Sequence, residues 1–172
     1  LGGKTLQFMP APMVHWPDSM FTYVAESRTL LPNDAFGQHL ASSARFADEG
    51  GYDLALDELE EYSANIIMPV NKQASKMVDK LVDAGWGLDV VAPSHGVIWR
   101  GEGIGKALDA YARMSSGKTR DKLLVVFTTM WGSTKTLADA VADGAAAEGT
   151  EVMVFDLASS TFARITHELL EA

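Results

Sequence analysis

Apolar positions follow two rhythms along this chain. Phe21, Thr22, Tyr23, Val24 and Ala25 are β-branched, aromatic or small, and predict a strand. Glu26, Ser27 and Arg28 make a polar turn, and Thr29, Leu30 and Leu31 a return strand, so the stretch reads as a hairpin. Residues 4–9 read as a short strand stopped by Pro10 and Pro12. The rhythm then lengthens. Phe36, Leu40, Ala44 and Ala47 recur every three to four positions and predict a helix over 35–48, ended by Gly50 and Gly51. A second helix is predicted over 53–67, with Asp57, Glu58, Glu60 and Glu61 on an acidic face. Pro69 interrupts, and a third helix runs to Ala84 with Met77, Leu81 and Val82 on one face.

Residues 88–92 (Leu88, Asp89, Val90, Val91, Ala92) form a buried-type strand that runs into Pro93, Ser94, His95 and Gly96. A Gly-rich connection at 101–105 precedes a helix to about Met114. The small, polar and basic stretch 115–120 marks a domain boundary. Beyond it the order is strand (122–128), loop, helix (134–147), strand (151–155) and helix (from about Ala163). That alternation implies a parallel sheet with right-handed crossovers.

Composition narrows the class. The chain has 172 residues, is 47% hydrophobic and 22% charged, and carries a net charge of −9, which suits an ordinary globular core. Its Lys and Arg residues are scattered, with no basic stripe, which argues against nucleic acid as a partner. There is no cysteine, which removes disulfides, thiolate metal sites and Cys nucleophiles, and fits a cytoplasmic location. No apolar run is long enough to span a bilayer. The chain opens on Leu1, Gly2 and Gly3 rather than Met, and reads as cut from something longer.

Three metal-capable side chains stand just past predicted strands: His15, Asp34 and His95. The hairpin brings its two ends together, so His15 and Asp34 can be neighbours in space although 19 positions apart (34 − 15). Gly96 frees the backbone beside His95. Imidazole and carboxylate without thiolate suit iron, zinc or manganese alike. Each residue also has an ordinary use, Asp34 as a cap for the helix predicted from Ala35. His39 and His167 are assigned structural or surface roles.

The apolar run Leu123, Leu124, Val125, Val126, Phe127 leads into Thr128, Thr129, Met130, Trp131, Gly132, Ser133 and Thr134, and then directly into a helix. Hydroxyls and a glycine at a strand-to-helix junction suit an anion, because the helix start offers unpaired N–H groups and a partial positive charge. The order needed for a triphosphate loop is absent, as is the Gly-rich dinucleotide pattern. A terminal phosphate monoester such as that of FMN fits better. A plain capped turn is the simpler use of the same residues.

Five stretches together resemble the flavodiiron proteins (A-type flavoproteins, the rubredoxin:oxygen oxidoreductase family). They are Pro12 to Met20, Asn33 to Gly37, Tyr62 to Ile66 with Pro69, Pro93 to Arg100, and Thr129 to Thr134, in the family's order and over almost the whole chain. The resemblance implies an α/β fold: the C-terminal half of a metallo-β-lactamase-like αββα sandwich over 1–116, followed by the start of a flavodoxin-like doubly wound parallel sheet over 121–172. It implies that His15 binds one iron, Asp34 bridges two irons and His95 binds the second. It implies that Thr129, Met130, Trp131, Gly132, Ser133 and Thr134 hold FMN, with Trp131 near the flavin.

The activity implied is reduction of O2 to water, of NO to N2O, or both, at a di-iron site fed by FMN. The implied partners are a rubredoxin-like or reductase electron donor and a second copy in a head-to-tail dimer. The family's first ligand motif, His-x-Glu-x-Asp-His, is absent from this sequence, and so are its later flavin-contacting loops. Two other readings stand beside the reductase: a hydrolase on the same sandwich, and a non-catalytic fragment. The flavin loop argues against the first of these.

Overall fold

A computed structural model describes residues 2–172; Leu1 lies outside the described residues. The chain forms two compact units, one ending at Ser116 and one beginning at Gly117.

The first unit is built on a five-stranded sheet of order β1-β2-β3-β4-β5. Its strands are β1 (Leu6–Pro10), β2 (Met20–Val24), β3 (Thr29–Leu31), β4 (Val90–Val91) and β5 (Trp99–Arg100). The predicted hairpin forms, with Tyr23 opposite Leu30. β1 lies antiparallel to β2, and β4 parallel to β3 with Leu30 beside Val91. Hence β1, β3 and β4 all run in the same direction. Their C-terminal ends open on one edge of the sheet, followed by His15, Asp34 and His95 respectively.

Alternation decides what the sheet buries. Phe21, Tyr23 and Leu30 point to one face and are buried, as are Val91 and Trp99. Each such large side chain contributes roughly 1.5–3 kcal/mol when fully buried. The row Phe8, Thr22, Leu31 lies on the opposite face, where Leu6, Phe8, Met20 and Leu31 are exposed. The helices between β3 and β4 are α1 (Ala47–Gly50), α2 (Tyr52–Tyr62) and α3 (Asn71–Asp83), and α4 (Glu102–Ser115) follows β5. Phe36 links sheet to helix, with its ring 6.3 Å from Phe21 and 4.7 Å from Tyr111 of α4.

Four local expectations change. The helix predicted over 35–48 is a loop except for α1. Phe36, inside that span, adopts left-handed backbone (φ +64°), which a right-handed helix does not accommodate. Arg45 and Ala47 pair with Ile98 instead (Ile98 N–H to Arg45 O 2.9 Å, Ala47 N–H to Ile98 O 3.0 Å). The strand predicted over 88–92 shrinks to β4, although Val90 and Ala92 donate to the Arg28 and Leu30 carbonyls. The Gly-rich segment 101–105 is no connection, because it opens α4. Gly103 lies so close to Tyr52 that a Cβ would come within 2.4 Å of the ring. Finally, α3 buries Ala74, Met77, Val78 and Leu81, whereas Val82 is exposed. The second predicted helix forms as α2 and then widens into one π-type turn, Ser63–Ile67.

The second unit has the predicted order: β6 (Lys122–Phe127), α5 (Ser133–Ala147), β7 (Glu151–Asp156) and α6 (Phe162–Leu169). β6 and β7 pair in parallel along their whole length. The Thr161 hydroxyl caps α6 by accepting from the Arg164 N–H at 3.3 Å. Lys122, with only 3% of its side chain exposed, pins α6 to β6 through Glu168 at 2.6 Å. Among the described residues, no helix is long and apolar enough to cross a membrane.

Candidate functional site

His15, Asp34 and His95 meet at the shared edge of β1, β3 and β4. His15 Nε2 lies 3.2 Å from Asp34 Oδ2, and His95 Nε2 lies 3.6 Å from Asp34 Oδ1. Each imidazole therefore faces a different oxygen of one carboxylate. The Asp34 side chain is 15% exposed, so the pairs are partly shielded from solvent. Asp34 does not cap a helix: it sits in a turn whose Gly37 N–H donates to the Asp34 carbonyl at 3.1 Å. Gly37 keeps this turn close to the other loop, since a Cβ there would stand 3.0 Å from His95 Cε1. The Ser19 hydroxyl, buried, holds the His15 loop by accepting from the Trp16 N–H at 3.1 Å.

The donor chemistry suits a borderline metal ion. The set is incomplete on its own. Among the described residues, no group of three or more His, Asp or Glu is arranged to hold a metal ion. Two imidazoles and one carboxylate are donor types that metal centres use, and here they stand together without completing one.

Sequence reasoning left three neighbours out of the site. His39 is exposed, but its ring centroid lies 5.5 Å from that of His95 and meets Tyr62 edge-on at 4.7 Å. The Tyr62 ring lies 5.0 Å from His95. Burial first, and the negative charge of Asp34 second, push the Tyr62 hydroxyl well above the ordinary phenol range. Gln38 is fully buried and hydrogen-bonds to both site loops. All three were hidden by spacing. The helix predicted over 35–48 gives Gln38 and His39 no link to the distant His95 loop, and Tyr62 reads as one more core position of α2.

In the second unit, Gly132 takes a left-handed conformation (φ +87°) and begins α5. Its N–H donates to the Thr129 hydroxyl at 3.0 Å, which folds the loop back over the helix start. Thr128, Thr129, Met130 and Thr134 line an open hollow of about 340 Å³. The first N–H groups of α5, at Ser133 and Thr134, point out of the helix end, as such groups must. Lys135 is engaged by Asp139 at 2.7 Å. Met130 and Trp131 are 83% and 89% exposed, which leaves an apolar rim beside the hollow. The residues fit a phosphate monoester bound by hydroxyls and backbone, with a flat apolar group beside it.

No model of a known protein family matches the chain. Individual proteins do. The nitric oxide reductase of Moorella thermoacetica is 45% identical over 172 residues, which is 100% of this chain and 43% of that protein. The rubredoxin oxygen:oxidoreductase of Desulfovibrio gigas superposes with a TM-score of 0.93 at 33% identity, over 98% of this chain and 42% of that one. The flavodiiron protein of Giardia intestinalis superposes with a TM-score of 0.90 at 36% identity, over 99% of this chain and 41% of that one. The chain belongs to the flavodiiron family. It spans less than half the length of these flavodiiron relatives. The match runs through both units, so the α/β fold expected from the resemblance holds over nearly the whole chain.

Proposed function

We propose that this chain forms part of an oxidoreductase that reduces O2 to water, NO to N2O, or both. The observation that carries the reading is Asp34, whose two oxygens face His15 and His95 separately. One carboxylate shared between two imidazoles suits a pair of metal ions better than a single one.

When bound, a di-iron pair supplies binding and reduction of the gas, and FMN supplies the electrons. The chain's own residues do the rest. His15, Asp34 and His95 would hold the iron pair, the histidines through imidazole nitrogens and Asp34 through its carboxylate. The loop from Thr129 to Thr134 would hold the FMN phosphate through the Thr129, Ser133 and Thr134 hydroxyls and the N–H groups at the start of α5. Gly132 supplies the conformation that lets backbone approach the phosphate. Met130 and Trp131 would offer an apolar surface to the flavin. Residues 1–116 belong to the metal domain and 121–172 to the flavin domain. A rubredoxin-like or reductase donor, a head-to-tail dimer and a cytoplasmic location go with this reading. The name of the Desulfovibrio gigas relative supports the rubredoxin-type donor.

The test is made on the polypeptide that carries this sequence at its relatives' full length. Iron and FMN content are measured, together with consumption of O2 and NO by the reduced protein. Asp34→Asn and His95→Ala should each abolish consumption. A protein loaded with iron and FMN that consumes neither gas would overturn the reading.

A further inference from the structure

Gln38 has 0% exposure, although its side chain is polar. A buried amide is retained only where its hydrogen bonds are met. Here they join two loops far apart in sequence. Gln38 Nε2 donates to the Phe36 carbonyl at 2.7 Å and, at a longer 3.4 Å, to the Val97 carbonyl. Gln38 Oε1 accepts from the Val97 N–H at 2.7 Å. The first loop carries Asp34 and the second carries His95.

Both loops are shaped around this amide. Phe36 stands at φ +64°, an unfavourable conformation for a side-chain-bearing residue, and its carbonyl receives a second buried donor, Trp99 Nε1, at 2.8 Å. On the other loop Gly96 stands at φ +83°, and a Cβ there would come within 2.3 Å of Gln38 Oε1. The Gln38 carbonyl lies 3.4 Å from His95 Nδ1. A carbonyl can only accept, so this contact favours the proton on Nδ1 and leaves Nε2 for a metal. His95 is thus bracketed. Ahead of it, Ser94 is tied to Asn33 by exposed bonds of 2.8 and 2.9 Å; behind it, Val97 is tied to Gln38 in the interior.

We propose that Gln38 is the positioning residue of the candidate metal centre: its buried amide clamps the His95 loop to the Asp34 loop and sets where the His95 ring stands. This rests on the reading that His15, Asp34 and His95 are metal donors. The interior bracket dominates because water cannot replace its bonds, whereas the Asn33–Ser94 bonds exchange with solvent.

The test compares Gln38→Met, which keeps the volume and removes the bonds, with Gln38→Glu, whose buried neutral carboxyl retains a donor and an acceptor. A Leu59 variant chosen to lose the same thermal stability as Gln38→Met is the control. Two quantities are read on the polypeptide that carries this sequence at its relatives' full length: nuclear Overhauser contacts from the His95 ring to Gly37 and Tyr62, and Co(II) affinity by visible absorption.

Gln38→Met should lose the ring contacts and bind Co(II) about tenfold more weakly or worse, the usual effect of removing a group that orients a ligand. Gln38→Glu and the Leu59 variant should retain both. Ring contacts that survive in Gln38→Met, or that vanish equally in the Leu59 control, overturn the proposal. If Gln38→Met does not fold, hydrogen exchange of the unaltered chain decides. The Val97 amide and the Gln38 side-chain amide should exchange slowly, and exchange as fast as at exposed loop amides overturns the clamp. Asp34→Asn and His95→Ala separate the two ideas. Co(II) binding indifferent to both removes the metal reading, and the ring contacts then judge Gln38 alone.

Discussion

Gly96 and Tyr111 show how differently single residues bear on this fold. Gly96 needs left-handed backbone, and its missing Cβ makes room for Gln38. Gly96→Ala should cost about 2–4 kcal/mol, combining backbone strain with the loss of buried hydrogen bonds. Urea unfolding measures this, and a change below about 1 kcal/mol would show that the loops do not meet as described. Tyr111 is the opposite case. Its hydroxyl is buried with no hydrogen-bond partner among the described residues, and the hydroxyl of Ser63, which lines the same small hollow, is in the same condition. Burial accordingly pushes its ionisation well above the ordinary phenol range. Tyr111→Phe should leave stability unchanged or raise it by about 1 kcal/mol, since an unmatched polar atom is removed and the ring stays. A loss of more than about 1 kcal/mol in thermal unfolding would mean that the hydroxyl has an unseen partner.

At the scale of elements, the second unit depends on how α6 is held. Burial works against the charge of Glu168, but Lys122 and then Arg164 hold its carboxyl below the usual glutamate value. The folded state therefore binds that proton less readily than the unfolded chain, whose glutamate titrates near about 4.3. The stabilisation is fully present above that value and is lost as pH falls through the lowered folded one. Glu168→Gln should flatten this part of the pH dependence, seen as a smaller fall in the urea midpoint on acidification. An unchanged pH profile would place the acid sensitivity elsewhere. β6, α5, β7 and α6 were legible because apolar runs and the turn residues between them mark each element within a few positions. Residues 35–48 were not, because the spacing of Phe36, Leu40, Ala44 and Ala47 is answered by Ile98 and Gln38 rather than by a helix. The glycines at 101–105 misled for a related reason, since Gly103 serves the Tyr52 ring.

At the scale of the whole molecule, the sheet of the first unit presents an exposed apolar face, and the chain spans 43% of the Moorella thermoacetica relative. The candidate centre has three side chains that could act as donors, and the loop before α5 opens on a hollow that solvent reaches. The 172-residue chain alone should therefore retain well under one iron and one FMN per chain after gel filtration. Each missing donor weakens a metal site, and a phosphate anchor without further ring contacts gives limited affinity. Metal analysis and the flavin absorption spectrum make the measurement. Stoichiometric iron together with a yellow chain would mean that these residues suffice without further protein.

The sequence by itself determined the hairpin, the parallel second unit, the hydroxyl-rich loop before α5, and the placing of His15, Asp34 and His95 past the ends of strands. These are local properties, written in residue type and spacing over a few positions. Only the tertiary structure decided that β1, β3 and β4 run in the same direction, and so that His15, Asp34 and His95 share one edge. It also decided that residues 35–44 form a loop, and that Gln38, His39 and Tyr62 gather around His95. The reason is the separation of the partners. Asn33 and Ser94 pair across 61 positions, and Gln38 and Val97 across 59. No periodicity within either segment carries information about the other, and only burying both in one interior brings them into register.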